Sequence, residues 1–171
     1  MNGDTWREKD FSGYDVVFHV AGIAHTNLRG ISQKVKDQYD QVNGRLPVET
    51  ARKAKAEGVR QFVFMSSAVV YGDSAPLGKQ KVITRETPTA PTNFYGQSKL
   101  QAEQGLLPLA EEGFKVAVLR CPMIYGKGGK GNYRTLSRMA KYLPLFPDVE
   151  NARSMLYVGN FVEFLRHVID N

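Results

Sequence analysis

The sequence is poor in cysteine and histidine and has no long apolar run, and each shortage excludes a class of protein. Its one cysteine, Cys121, permits neither an internal disulfide framework nor a cysteine-rich zinc site. The three histidines, His19, His25 and His167, do not have the spacing of metal ligands, so we predict no metal site. The longest apolar stretch, residues 16–24, is far below the roughly 18 residues of a membrane span. We therefore expect a soluble, cytoplasmic protein.

The charge and the apolar content indicate a folded domain with a solvated basic surface. The 171 residues include 23 Lys and Arg against 17 Asp and Glu, and 42% of them are hydrophobic. That hydrophobic fraction is enough for a packed core and too high for a disordered chain. The basic residues are scattered and form no run interleaved with aromatic residues, so we do not expect nucleic acid as a partner.

Strand and helix patterns alternate along the chain. Short runs rich in β-branched and apolar residues predict strands at 15–21, 61–66 and 115–120. Helical spacing predicts helices at about 33–57, 95–112 and 132–142. We expect Pro47 to kink or split the first helix, and Gly58 and Gly113 to close the first and second. This alternation implies an α/β fold with a parallel sheet and right-handed crossovers.

Three short segments follow the predicted strands and should therefore share one edge of the sheet. They are Ala21-Gly22, Ser66-Ser67 and Cys121-Pro122. In open parallel sheets, ligands bind beyond the carboxyl ends of the strands. We expect the functional site at this edge.

The pair Tyr95 and Lys99 carries the strongest chemical signal, because a spacing of four places both on one face of a helix. A free tyrosine has a pKa of about 10 and is a poor base at neutral pH. A lysine ammonium beside it favours the phenolate and lowers that pKa. Ser67, after the preceding strand, could hold the oxygen whose proton Tyr95 exchanges. A Tyr and Lys on a surface helix without a function is the alternative for the pair taken alone.

Four segments with these residues resemble the extended short-chain dehydrogenase/reductases, the nucleotide-sugar epimerase/dehydratase family. The matching segments are DVVFHVAG (15–22), FVFMSSAVVYG (62–72), YGQSKLQAE (95–103) and LRCPMIYG (119–126). The resemblance implies a Rossmann-like parallel sheet with flanking helices. It also implies NAD, rather than NADP, as cofactor, a nucleotide sugar or related diphospho-sugar as substrate, and a homodimer in full-length members.

By motif position, the resemblance implies that Ser67, Tyr95 and Lys99 are the catalytic residues. Tyr95 would take the proton of a sugar hydroxyl, and Ser67 would bind the reacting oxygen. Lys99 would hold the nicotinamide ribose and keep Tyr95 ionised. Catalysis would then rest on positioning and electrostatics.

The resemblance also implies sets of binding residues, although tight turns, core packing or surface exposure would explain several of them equally well. Implied cofactor-binding residues are Asp4, Val20, Ala21, Gly22, Asn43, Met65, Ser66, Tyr95, Lys99, Cys121, Pro122, Met123 and Ile124. Implied substrate-binding residues are Ser67, Ala68, Val69, Tyr95, Met123, Asn132 and Arg153.

The chain departs from the family pattern because no glycine-rich dinucleotide loop follows a first strand. We interpret residues 1–171 as the central and C-terminal part of an NAD(P)-binding Rossmann-like domain lacking its first strands. Only the start of the substrate-binding region, about 127–171, is then included. A helix N-terminus that neutralises the pyrophosphate would be missing, so we expect no measurable NAD binding by this polypeptide alone. The strand at 15–21 would be an uncovered apolar edge prone to association.

Ala68 and Val69 discriminate between activities of the family. The 4,6-dehydratases have Asp-Glu at these positions to move protons, which Ala and Val cannot do. The resemblance therefore favours a 4-epimerase, with a link to surface-polysaccharide synthesis suggested by the run 151–158. A keto-sugar reductase or hydroxysteroid-type dehydrogenase is the second hypothesis. A non-catalytic fragment that acts only by association is the third.

Overall fold

The computed structural model describes residues 3–24, 32–76, 79–129, 132–144 and 152–171. Strands and helices alternate along it, as the sequence predicts. The strands are β1 (Val16–His19), β2 (Gln61–Ser67), β3 (Lys115–Cys121), β4 (Met123–Tyr125) and β5 (Met155–Tyr157). The α-helices are α1 (Gln33–Tyr39), α2 (Leu46–Ala56), α3 (Phe94–Leu106), α4 (Asn132–Tyr142) and α5 (Val158–Asp170). A π-helix spans Asp40–Arg45, and 3₁₀-helices span Gly3–Trp6, Ala68–Tyr71 and Leu107–Leu109.

The first three strands form one parallel sheet in the order β1-β2-β3, which confirms the predicted α/β class. Val16 pairs with Gln61 at one end of β1, and Ser67 pairs with Cys121 at the far end of β2. Strand β1 is shorter than the predicted 15–21, because residues 20 and 21 have already left the ladder. Within the described ranges, no strand pairs with the second edge of β1.

The predicted helix at 33–57 is divided in three. A π-helical segment, Asp40–Arg45, separates α1 from α2. Pro47 lies in the first turn of α2, directly after the π-helical segment, so the helix is divided next to this residue, as expected. Gly58 follows the end of α2 with φ +85°, which confirms the predicted glycine cap.

Helix α3 ends earlier than predicted, at Leu106 rather than near 112. Pro108 lies in the 3₁₀-turn that follows and cannot continue the α-helical hydrogen bonds. Gly113 is therefore not the cap of α3. It has φ +88° and forms the turn between Glu111 and Phe114, whose backbones are hydrogen-bonded to each other.

The sheet lies between two apolar clusters. On one side, Phe62 and Phe64 of β2 pack with Ala51 and Ala54 of α2 and with Leu106 of α3. On the other side lies a smaller cluster formed by Val63, Leu119 and Phe161, with Ile124 and Leu156 packed against it. The sheet is thus covered by α2 and α3 on one face and by α5, β4 and β5 on the other.

The sequence patterns did not predict β4, β5 or α5. Strands β4 and β5 have three residues each and pair in parallel, Met123 with Met155 and Tyr125 with Tyr157. Helix α4, in contrast, has the predicted bounds. Of the described helices, none combines the length and the apolar character needed to cross a membrane.

Candidate active site at the carboxyl edge of the sheet

The parallel register brings the predicted site segments to one edge of the sheet. His19 ends β1 beside Phe64, and Ser67 ends β2 beside Cys121. Residues 20–22 and 122 follow at the same edge. The juxtaposition expected from strand order is therefore present.

Helix α3 directs Tyr95 and Lys99 toward the end of β2. It begins at a cap in which the Asn93 side chain accepts a hydrogen bond from the Gly96 N–H at 2.9 Å. The Lys99 Nζ donates to the Met65 carbonyl oxygen at 2.8 Å and lies 4.6 Å from the centre of the Phe64 ring. Only 4% of Lys99 is exposed. Burial lowers the pKa of Lys99 to about 8, although the Glu103 carboxylate opposes this shift.

The Tyr95 phenol is mostly buried near the end of β2, where the Ser67 hydroxyl acts on its pKa. The ring of Tyr39 meets the ring of Tyr95 edge to face, with centroids 6.4 Å apart. Burial raises the pKa of Tyr95 above its usual value, and the hydrogen bond with Ser67 acts in the opposite direction. The expectation that Lys99 lowers this pKa is wrong for this structure, because the ammonium binds the Met65 carbonyl and burial dominates.

Asn43 fixes the segment after β1 next to Lys99. Its fully buried amide accepts from the Ile23 N–H at 2.8 Å and donates to the Ile23 carbonyl at 2.9 Å. It also donates to the Ser98 hydroxyl at 3.3 Å. A Cβ on Gly22 would lie 3.0 Å from the Asn43 Oδ1 and 3.4 Å from the Lys99 Nζ, so only glycine fits here without displacement.

A match to a protein-family model identifies the family to which this chain belongs. The model of the NAD dependent epimerase/dehydratase family matches residues 2–171, nearly the whole chain. The chain belongs to this family. The resemblance inferred from the four sequence segments is thereby confirmed, together with the Rossmann-like fold.

Similar proteins of this epimerase/dehydratase family include sugar epimerases. A UDP-glucose 4-epimerase of Vibrio cholerae is 31% identical over all of the chain, which covers 52% of that protein. The N-acetyl-alpha-D-glucosaminyl-diphospho-ditrans,octacis-undecaprenol 4-epimerase of Escherichia coli O157:H7 is 35% identical over 67% of the chain and 34% of its own length. The chain thus spans at most about half the length of these relatives.

A solved structure confirms the fold at lower identity. The UDP-glucuronic acid 4-epimerase from Bacillus cereus, in complex with UDP-glucuronic acid and NAD, superposes with a TM-score of 0.75. It is 20% identical, and the match covers 99% of this chain and 53% of that one. At this identity the likeness supports the architecture alone.

The remaining predicted residues of this family member lie around the strand ends, with less defined contacts. Ala68 and Val69 start the 3₁₀-helix after Ser67, and the Val69 N–H donates to the Ser67 Oγ at 3.4 Å. Met123 and Ile124 belong to β4, which Pro122 separates from β3. The Cys121 thiol is partly buried, which raises its pKa.

Several predicted residues are not brought to the site by any described contact. Val20 and Ala21 are exposed at the edge, and Arg153 is exposed before β5. The side chains of Asp4 and Asn132, and all of His25, lie outside the described residues. In the part of the chain that is described, no group of three or more His, Cys, Asp or Glu side chains could hold a metal ion.

Sequence reasoning missed a buried polar cluster behind Lys99. Glu103 is 1% exposed and accepts a hydrogen bond from the Ser66 hydroxyl. Arg120 pairs with Glu103 and donates to the Tyr71 hydroxyl. The signal was the position of Glu103, four residues after Lys99 and one helical turn further along the same face.

Proposed function

We propose that the protein containing this chain is an NAD-dependent nucleotide-sugar 4-epimerase. The observation that carries the proposal is the attachment of the Tyr95–Lys99 face of α3 to the carboxyl edge of the parallel sheet, where the Lys99 Nζ donates to the Met65 carbonyl oxygen at 2.8 Å. The relatives with printed 4-epimerase names support the choice of reaction. Because the chain covers 52% of the first of them, the activity is proposed for the whole protein.

Tyr95 is the group proposed to exchange a proton with the sugar hydroxyl. A buried phenol is protonated at neutral pH, so Tyr95 must lose a proton before it can accept one. The hydrogen bond with Ser67 favours the phenolate and thus opposes the effect of burial. In the proposal, the same Ser67 hydroxyl holds the reacting oxygen, and positioning is the main catalytic contribution.

The residues around Gly22 and Lys99 fit the ribose side of NAD. The absence of a Cβ at Gly22 lets its backbone approach Asn43 and the Lys99 ammonium closely, and Asn43 fixes the adjoining Ile23 backbone. In the proposal, residues 20–22, Asn43 and Lys99 hold the cofactor. When bound, NAD supplies a two-electron acceptor for the sugar carbon and returns the electrons to it.

The segment after Ser67 argues against dehydration. Ala68 and Val69 begin the 3₁₀-helix directly beside the Ser67–Tyr95 pair and present no titratable group to the site. Elimination of water needs groups that remove and add protons at further sugar atoms. Apart from the electrons that NAD takes up and returns, epimerisation needs only the exchange of one proton at Tyr95, so it fits the residues present. We also propose a role in surface-polysaccharide synthesis, which the similarity to the Escherichia coli 4-epimerase supports.

Incubation of the purified full-length protein with UDP-sugars tests the proposal. An epimerase should interconvert the C4 epimers with no net change in absorbance of the reduced nicotinamide. Steady consumption of reduced cofactor with a keto sugar would favour the reductase instead. Lack of both reactions and of NAD binding in the folded protein would support the third hypothesis, a chain that acts only by association.

A further inference from the structure

The buried cluster of Glu103, Arg120, Ser66 and Tyr71 lies directly behind the proposed catalytic groups. Three residues of α3 at four-residue spacing, Tyr95, Lys99 and Glu103, form one stripe along the helix. The stripe faces the last three residues of β2: Lys99 donates to the Met65 carbonyl, Glu103 accepts from Ser66, and the Ser67 hydroxyl acts on the Tyr95 phenol. The helix is therefore attached to the strand end along this stripe.

Of these three attachments, the one through Glu103 is the most buried. The Ser66 hydroxyl donates to the Glu103 Oε1 at 2.5 Å, and both side chains are almost completely inaccessible. The Arg120 Nη2 donates to the Glu103 Oε2 at 2.7 Å, and the Arg120 Nε lies 3.1 Å from the same oxygen. Buried carboxylates are strongly destabilising unless they are paired in this way.

Arg120 connects this carboxylate to the rest of the sheet edge. It is the register partner of Ser66 across β2 and β3. Its Nη1 donates to the Tyr71 hydroxyl at 2.8 Å, and its guanidinium lies 5.0 Å from the centre of the Tyr71 ring. The cluster thus joins β2, β3, α3 and the 3₁₀-helix Ala68–Tyr71, which are the elements that surround Ser67 and Tyr95.

We propose that Glu103, anchored by Arg120, is a positioning residue that holds Ser66 and thereby sets the spacing between Ser67 and the Tyr95–Lys99 face of α3. The inference deepens the proposed function, on which its importance for catalysis rests. Glu103 acts through its neighbours and does not itself touch a substrate. A second effect follows from its place one turn after Lys99, where its negative charge favours the ammonium form of that buried lysine.

Titration of Lys99 and Tyr95 in Glu103→Gln tests this role without any substrate or cofactor. The chain is labelled with ¹³C at lysine Cε and tyrosine Cζ, and the two signals are assigned from Lys99→Arg and Tyr95→Phe. We expect the titration midpoint of Lys99 to fall by roughly one pH unit. We also expect the midpoint of Tyr95 to rise, because Ser67 loses its fixed position. Glu103→Asp should recover part of the Lys99 shift.

Glu57→Gln is the control, because Glu57, like Glu103, pairs with a basic side chain and accepts a further hydrogen bond, here from Lys53 and the Phe11 N–H, but lies away from the site. It should leave both midpoints unchanged. Unchanged midpoints in folded Glu103→Gln, or equal shifts in Glu57→Gln, would overturn the inference. Since no substrate is present, a failure here differs from a failure of the proposed epimerase, which is seen only in turnover.

The double variant Glu103→Gln/Arg120→Gln removes the carboxylate without leaving a guanidinium unpaired. It should fold at least as well as Glu103→Gln and show the same raised Tyr95 midpoint, whereas the Lys99 midpoint should fall less, because a cation is removed together with the anion. A normal Tyr95 midpoint in the double variant would contradict a positioning role. A double variant that cannot fold would also contradict it, because the cluster would then serve the stability of the sheet rather than the site.

Discussion

The β2–α3 region and the region after Cys121 differ in how completely they bury their apolar side chains. Phe62, Phe64, Ala102 and Leu106 are fully buried between the sheet and its helices. In α4 and α5, by contrast, several apolar side chains are exposed: Leu136, Met139, Val162 and Phe164. The proton-exchanging groups of the proposed mechanism are therefore fixed by the best-packed part of the fold, whereas Arg153, a predicted substrate contact, lies where packing is incomplete.

The largest expected effect is on catalysis in the packed region. Tyr95→Phe in the full-length protein should reduce turnover by roughly 10²–10⁴-fold, the range typical of a general acid–base group. Tyr133→Phe, on the exposed side of α4, is the matched control and should change turnover little, since Tyr133 is 40% exposed. Epimerisation kinetics of both variants provide the measurement. Wild-type turnover in Tyr95→Phe would remove Tyr95 from the mechanism.

A pair of Phe→Ala substitutions compares the two regions in stability. Phe62→Ala empties a fully buried position and should lower the free energy of unfolding by about 3–5 kcal/mol. Phe164→Ala, at a side chain that is 51% exposed, should change it by less than about 0.5 kcal/mol. Urea unfolding followed by circular dichroism gives both values. Equal losses would show that the α5 face is buried in solution, against the contrast drawn above.

His19 should make the packed region sensitive to acid. Burial, helped by the positive charge of Lys99, lowers the pKa of His19 from 6.5 to about 4. The unfolded chain then binds more protons than the folded one between these values. The contribution of His19 to the free energy of unfolding is fully present above pH 6.5 and is lost as the pH falls toward 4. The loss is about 2 kcal/mol between pH 7 and pH 4.5.

His19→Phe tests that origin of the acid sensitivity. The imidazole already packs near the rings of Phe62 and Phe64, and its Nδ1 has no hydrogen-bond partner in the described structure. A phenyl ring should therefore be tolerated and should remove this part of the pH dependence. Unfolding curves at pH 7 and pH 4.5 provide the comparison. An unaltered pH slope in His19→Phe would assign the sensitivity to other groups.

The smallest expected effect concerns the start of α3. A Cβ on Gly96 would lie 2.8 Å from the Pro91 Cβ and 3.0 Å from the Val69 carbonyl oxygen. Gly96→Ala should therefore destabilise the protein by about 1–3 kcal/mol. Gly13→Ala is the control, because a Cβ there meets nothing within 4 Å. Similar unfolding midpoints for both variants would mean that the contact at Gly96 relaxes freely.

The two regions also differ in how far their structure followed from the sequence. The sequence predicts strands β2 and β3 because continuous runs of β-branched and apolar residues are typical of buried parallel strands. Strands β4 and β5 have only three residues each, too few for a periodic signal, and they form only by pairing with each other. Helix α3 ends before the residue that helical spacing predicts, because Pro108 cannot continue the α-helical hydrogen bonds.

For the site, motif position predicted more than electrostatic reasoning did. Gly22, Asn43 and Lys99, which motif position assigns to cofactor binding, lie close together, and their roles stay predictions. The direction of the Tyr95 pKa shift was wrong, because sequence spacing shows that Lys99 shares a helix face but not where its ammonium finds an acceptor. Glu103 and Arg120 were missed for the same reason, since they come together only across the sheet edge.

The π-helix Asp40–Arg45 constrains the number of residues between α1 and α2 more than it constrains their types. A π turn accommodates one residue more than an α turn, and each α-helical residue rotates the helix by about 100°. Deletion of a single residue between positions 40 and 45 would remove the extra residue of the π turn and rotate α1 relative to α2 by about 100°. Asn43 would then rotate away from the Ile23 backbone that it clamps. Insertions and deletions should therefore be selected against in this segment, even where individual substitutions are accepted.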